Sequence, residues 1–327
     1  MPAQILTASE LVSHTRILGR WVAKAIQGRN TLYTTNLGSV IRFQIQNATY
    51  CTVNFLNNGN PFGAPQIIGI RVDQGSWQSW AVNQMPATIA LTPVTHTIEL
   101  MTIGNTDMDN VWLEQQGFAL QSIRTDVSAT ITPTVLRQHI TFIGDSITAG
   151  CWVNGHRPAR DYAAHGNYAA ICADQLNCDT CRIAYSAAGI IRDGTGSVPP
   201  APQFLDHLDH DTSWHPTATD LVVVNLGVND RQFNVSEFEP CLSSFLQQLE
   251  DTFDAPLAVM IPFAQTFAPT FRTIVPQFRR CHLVETEGWP LTYTDQLHVD
   301  GPGSVIAGTR LASILQTLLP TNSAGTV

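Results

Sequence analysis

The spacing of apolar residues changes at Gln138, and no other feature of the chain constrains its fold as much. Before that point, short segments alternate. In VIRFQIQ, residues 40–46, Ile41, Phe43 and Ile45 are separated by Arg42 and Gln44. In CTVNF, Cys51, Val53 and Phe55 are separated by Thr52 and Asn54, and HTIEL repeats the pattern with Ile98 and Leu100. A two-residue period with one polar face means half-buried antiparallel strands. Turn signals such as Asn57-Asn58-Gly59-Asn60-Pro61 and Asp73-Gln74-Gly75 separate them. Helical periodicity is almost absent from residues 10–125, so this region reads as an all-β, jelly-roll-like sandwich.

After Gln138 the apolar runs are uninterrupted: HITFIG (139–144), LVVVNLG (221–227), PLAVMIPF (256–263) and CHLVETE (281–287). Such runs suit parallel strands buried on both faces. Helical patterns lie between them. Tyr168, Ile171, Cys172 and Leu176 share one face, as do Phe238, Leu242, Phe245, Leu246 and Leu249. A last helix opens at Gly301-Pro302 and carries Val305, Leu311, Ile314, Leu315 and Leu318. Strand and helix in alternation predict a parallel sheet with helices on both faces. The Thr/Ser-rich VSATITPTVLRQ (127–138) reads as a connector. The expected division is therefore a sandwich at 1–126, a linker at 127–137 and an α/β domain at 138–327; a chain of 327 residues suits two domains.

An apolar content of 44% with 13% charged residues describes a globular chain. A net charge of −9 and a single lysine, Lys24, argue against a nucleic-acid or anionic-membrane partner. No run approaches the ~20 apolar residues of a membrane helix. The opening MPAQILTASELVSHTRILGRW has no basic stretch followed by an apolar core, and seven cysteines is an odd number. The expectation is free thiols in a cytoplasmic protein, although a secreted chain with its leader removed has the same appearance.

In open parallel sheets, ligands sit at the carboxyl ends of the strands. ITFIGDSITAG places Ser146 at such an end, just past Gly144 and Asp145. The plain alternative is an N-cap turn, with Asp145 or Ser146 capping a helix. Three further fragments end strands or precede helices: RIAYSAAGI reaches Gly189, LVVVNLGVND reaches Asn229 and Asp230, and YTDQLHVD sets Asp295 three residues before His298. Acyl transfer needs this combination. A serine hydroxyl becomes nucleophilic when a histidine takes its proton, and the histidine works best with one ring nitrogen fixed by a carboxylate. Asp295 can reach Nδ1 of His298 across one turn. The negative oxygen of the intermediate needs donors. The N–H groups of Ser146 and Gly189 and the amide of Asn229 are candidates, with Ala187 as an alternative to Gly189. Asp230 reads as structural.

In order and in residue type, GDSIT (144–148), Gly189, GVND (227–230) and DQLH (295–298) resemble the four blocks of the SGNH (GDSL-type) hydrolases. The resemblance implies a flavodoxin-like α/β/α domain, ester hydrolysis without cofactor or metal, and catalytic roles for Ser146, His298 and Asp295, with Ser146, Gly189 and Asn229 as the oxyanion hole. A β-sandwich ahead of such a domain resembles the family-2 carbohydrate esterases, which implies a small acylated carbohydrate as substrate. A lipid or thioester acyl hydrolase and a non-catalytic glycan-binding protein are the competing readings. Thr148 stands where an α/β-hydrolase elbow would have its second glycine, which excludes that fold.

Other groups read more plainly. Cys178-x-x-Cys181 lacks a second pair, so idle thiols are expected. LDHLDHDTSWH (205–215) reads as a solvated loop rather than a metal site. Trp77, Trp80 and Trp112 read as packing residues. Trp289 and Trp214 are the candidates for a substrate wall.

Overall fold

The computed structural model describes residues 3–320. Two six-stranded antiparallel sheets form the first part. One runs Val22–Ile26, Arg29–Thr34, Phe118–Asp126, Tyr50–Leu56, Ala87–Ala90, with Ala3–Thr7 also paired to Phe118–Asp126. The other runs Thr130–Pro133, Val40–Gln46, His96–Gly104, Ile67–Val72, Gln78–Ala81, with Arg16–Leu18 also paired to Val40–Gln46. Alternation holds along Tyr50–Leu56, where Cys51, Val53 and Phe55 are buried between half-buried neighbours. It fails at Arg42 on Val40–Gln46, which is buried as well. The outer side of that strand meets the α/β part, where the Arg42 guanidinium lies 2.6 Å from the Asp179 carboxylate.

Three features of the structure depart from the sequence reading. Ala8–His14 is a helix; its signal is the T-x-x-E of Thr7 and Glu10, whose carboxylate accepts the Thr7 N–H at 2.8 Å. The segment expected to be a linker contains Thr130–Pro133, a strand paired with Val40–Gln46 and pinned by buried Ile131. Residues 205–215 are not a solvated loop. They include a small hairpin, His207–Asp209 with Thr212–Ser213, and buried Asp209 accepts from the Lys24 ammonium at 2.6 Å.

The second part is a five-stranded parallel sheet in the order Asp179–Ala184, His139–Gly144, Leu221–Asn225, Leu257–Met260, Cys281–Val284. In chain order this is second, first, third, fourth, fifth, the flavodoxin-like arrangement. Alternate strand residues feed opposite layers. Ile140, Phe142, Val223 and Met260 pack toward helices Tyr168–Leu176 and Gly301–Leu315. Ile143, Val222, Val224 and Val259 pack with Phe238, Leu242, Phe245, Leu246 and Leu249 of helix Val235–Thr252. On the last helix Val305 faces outward, and the buried face combines Leu311 and Leu315 with small residues such as Ala307 and Gly308. A Cβ at Gly308 would lie 2.7 Å from Ile171 Cβ, so the two helices cross too closely for a larger side chain.

The two parts share apolar cores. Tyr33 and Trp112 of the sandwich pack with Tyr185 and Phe204, while Ala149, Cys151 and Ala184 pack among sandwich residues. No helix among the described residues is long and apolar enough to cross a membrane. All seven cysteines are free, six of them buried; burial pushes the Cys181 thiol up to about 12 and the Cys178 thiol to about 11.

Candidate active site

Strand His139–Gly144 lies at the point where the strand order reverses, which opens a crevice at its carboxyl end. Gly144 ends it. A Cβ there would sit 2.0 Å from Thr148 Oγ1, so the chain can turn back this tightly only at glycine. Asp145 is the N-cap: its Oδ1 accepts the Ile147 N–H at 2.9 Å. Ser146 is then the first residue of the helical turn Ser146–Ala149, which Gly150 stops with φ 91°. The capping expectation and the nucleophile expectation thus fall on neighbouring residues.

Ser146 Oγ lies 2.9 Å from Nε2 of His298. On the other side of the ring, Nδ1 is 2.8 Å from Asp295 Oδ2. Asp295 Oδ1 accepts the backbone N–H groups of Leu297 and His298 at 2.7 and 2.6 Å. The segment from Tyr293 to Val299 closes on itself: the Thr294 N–H donates to the His298 carbonyl at 2.9 Å, and Tyr293 bridges Val299. Burial acts to raise the Asp295 carboxyl, but the two backbone N–H groups and the imidazole together outweigh it and hold it below its ordinary value. The geometry is that of a hydroxyl, a base and an orienting carboxylate in line.

The sites for a negative oxygen divide clearly. Among the described residues the N–H groups of Ser146 and Ala187 donate to no protein acceptor. The Asn229 amide donates to the Ala188 carbonyl at 3.0 Å, and Asp145 Oδ2 lies 3.4 Å away. Gly189 does not fit the role expected of it, because its N–H is taken by the Arg192 carbonyl at 2.9 Å. Its glycine identity has another cause: a Cβ would lie 2.1 Å from Asp230 Oδ1. The Asp230 carboxylate accepts the N–H groups of Ile190, Ile191 and Arg192 at 2.8, 3.0 and 3.0 Å and so anchors the whole turn. Ala187 holds φ 60°, a left-handed conformation that disfavours a side chain by roughly 1 kcal/mol. Of the two alternatives open from sequence, Ala187 is the one with a free donor.

Asp145 is fully enclosed. Burial, with the Asp230 charge adding to it, raises its carboxyl from 3.8 to about 7 against the Ile147 N–H.

The expected substrate walls fare differently. Trp214 is buried with Arg20 over its ring at 5.3 Å, in the core that also holds Tyr185 and Phe204, so it offers no face to a substrate. Trp289 is half-buried against Phe263 at 6.0 Å. The aromatic beside the base is Trp152, whose ring is 6.4 Å from that of His298 and 4.8 Å from Tyr162. It follows the nucleophile by six residues; that nearness was the only available signal.

Sequence reasoning also missed the support beneath the turn that carries Ala187 and Gly189. Arg20, wholly buried, extends from the sandwich to the Tyr185 hydroxyl and to the carbonyls of Phe204 and His207 at 2.8 and 2.9 Å. Its Nε donates to Asn36 Oδ1 at 2.7 Å, and Asn36 donates to the Ala184 carbonyl. Tyr185 leads directly into Ser186 and Ala187. Among the described residues no group of three or more His, Cys, Asp or Glu is placed to hold a metal ion.

Residues 142–296 match the family model of the GDSL-like lipases and acylhydrolases. No curated protein matches the sequence. Among solved structures, a family-2 carbohydrate esterase from Cellvibrio japonicus is 15% identical, with 97% of this chain and 98% of that one covered at a TM-score of 0.76. One from Clostridium thermocellum in complex with cellohexaose is 18% identical, with 93% and 98% covered at 0.75. An acetyl xylan esterase from Butyrivibrio proteoclasticus is 13% identical, with 97% and 98% covered at 0.73. The whole two-part fold is shared with these proteins.

Proposed function

We propose that this chain, whose second part is a GDSL-like acylhydrolase domain, is a serine esterase that removes small acyl groups, acetyl foremost, from carbohydrates. The observation that carries this reading is the unbroken line from Ser146 Oγ to His298 Nε2, and from Nδ1 to Asp295, at 2.9 and 2.8 Å. The carbohydrate half of the reading draws support from the family-2 carbohydrate esterases that share the fold.

His298 Nε2 takes the Ser146 proton as Oγ bonds to the ester carbonyl carbon, and the carbonyl electrons move onto its oxygen. The N–H groups of Ser146 and Ala187 and the Asn229 amide receive that oxygen. When the intermediate collapses, the bond to the sugar oxygen breaks and the proton on Nε2 goes to the departing alcohol. Water then gives a proton to Nε2 and its oxygen attacks the acyl carbon. The second collapse releases the carboxylic acid and returns the proton to Ser146. Asp295, ionised throughout, keeps Nδ1 protonated and the ring aimed at the serine. The Trp152 ring walls the base on one side.

The test is acetate release from acetylated xylan oligomers and acetylated monosaccharides by wild type and Ser146→Ala. The variant is expected to fall by roughly 10⁴–10⁶ in kcat. Retained turnover would remove Ser146 from the mechanism, and a preference for octanoyl over acetyl nitrophenyl esters would move the chain to the lipid-hydrolase reading.

A further inference from the structure

Away from the triad, the sandwich carries a pocket of about 470 Å³ lined mostly by side-chain amides. Its walls contain one ionisable group, Glu114, whose carboxylate accepts the Gln116 amide at 3.0 Å. Asn58 and Asn60 spend their amide N–H groups on structure, donating to the Gln115 and Met108 carbonyls. Asn57, Asn83 and Gln115 do not: among the described residues their side chains make no hydrogen bond. Phe62, between lining residues Pro61 and Gly63 in the chain, is 87% exposed, the most exposed of the large apolar residues among those described.

This set of groups selects a ligand. A carboxamide donates and accepts, as does a hydroxyl, so unpaired amides around a wet pocket complement a polyhydroxylated molecule. A bare aromatic face suits the C–H face of a sugar ring. Phosphates and carboxylates would find no cation in the lining, and an apolar ligand would find few apolar walls.

The position of the pocket also has meaning. Most of its lining comes from loops that follow strands Tyr50–Leu56 and His96–Gly104 and precede Ile67–Val72 and Phe118–Asp126, which leave one end of the sandwich; Asn83 and the turn at Ile26 and Gln27 complete it. That end is tied to the oxyanion side of the second part. Thr195 Oγ1 donates to Asp107 at 3.0 Å, Thr195 N–H donates to the Ser186 carbonyl at 2.9 Å, and Trp112 N–H donates to the Gly196 carbonyl at 3.2 Å.

We propose that this amide-lined pocket, with the exposed Phe62 next to its lining residues Pro61 and Gly63, is a binding subsite for neutral oligosaccharides, separate from the catalytic rim. The ligand class rests on the lining alone; a benefit to turnover rests on the esterase reading. The experiment is calorimetric titration of the full chain with xylohexaose and cellohexaose, with nitrophenyl acetate hydrolysis measured beside it. Phe62 and Asn83 are exposed, so their replacement leaves the core untouched. Wild type is expected to bind at least one hexasaccharide, and Phe62→Ala and Asn83→Ala each to weaken it about fivefold to tenfold with nitrophenyl acetate kcat/KM unchanged. No binding up to about 10 mM, or binding that survives both substitutions and is lost in Trp152→Ala, would overturn the subsite. Absence of nitrophenyl acetate hydrolysis in wild type would count against the esterase reading instead and leave the binding result standing.

Discussion

The two parts of the molecule relate to the reaction in opposite ways. The α/β part supplies every group that would touch the reacting ester, all from turns at the carboxyl rim of its sheet. The sandwich supplies none of these, yet its fully buried Arg20 holds the strand end that leads into the turn of Ser186 and Ala187. In the parallel sheet, hydrogen bonding satisfies the strand interiors and leaves free donors only where strands stop, so chemistry collects at ends. In the sandwich, alternating faces leave an outer surface, and part of that surface is used to brace the neighbour. One part presents groups and the other keeps them in place.

The sharpest test of that contrast removes an orienting group within the rim. Asp295→Asn keeps the shape but loses the negative charge and favours the wrong imidazole tautomer; kcat on an acetyl ester is expected to fall roughly 10²–10⁴-fold. A change under threefold would mean that the backbone, not the carboxylate, positions His298. Next is the donor set. Asn229→Ala should cost about 10²–10³ in kcat with little change in KM, because the donor acts on charge that appears only in the transition state. A rise confined to KM would reassign Asn229 to ground-state binding.

The brace comes third. Arg20→Met strips hydrogen-bond partners from Asn36, Tyr185 and two backbone carbonyls, one of them buried, and should lower unfolding stability by roughly 3 kcal/mol or more in denaturant melts. It should also lower kcat about tenfold in the folded protein, as the oxyanion turn loosens. Full stability with full activity would show the sandwich to be a passenger.

The smallest effect concerns Asp145, whose raised carboxyl binds a proton more tightly folded than unfolded. Stability from this group is complete below its ordinary 3.8, declines as pH rises and is gone above about 7. Asparagine can still cap the Ile147 N–H, so Asp145→Asn should flatten the fall in Tm across that window. An unaltered slope would assign the pH dependence to other groups.

The legible and illegible parts of the site differ in range. Asp295 and His298 sit three residues apart, and Gly144, Asp145 and Ser146 are consecutive, so their local geometry follows from a single turn each. The choice between Ala187 and Gly189 depended on a carboxylate about 40 residues away, since Asp230 anchors the turn and thereby decides which N–H is left over. Trp214 was misread for the same kind of reason: a tryptophan near a polar loop resembles a wall until Arg20, distant in the chain, is found stacked over it. Only its place six residues after Ser146 pointed to Trp152, whose contact with His298 joins segments from either end of the second part. The strand Thr130–Pro133 was hidden by its threonines and proline, which read as a connector until Val40–Gln46 lay beside it.

By itself, the sequence determined the two-residue period of the first part, the uninterrupted apolar runs of the second, and which short turns carry a hydroxyl, an imidazole and a carboxylate. Those are consequences of side-chain period and of backbone turns a few residues long. Only the tertiary structure decided which donors stay unpaired, which aromatic stands beside the base, and that the sandwich braces the rim. Each of these is a competition among groups far apart in the chain for the same hydrogen bonds and the same space, and it has no outcome until folding brings the competitors together.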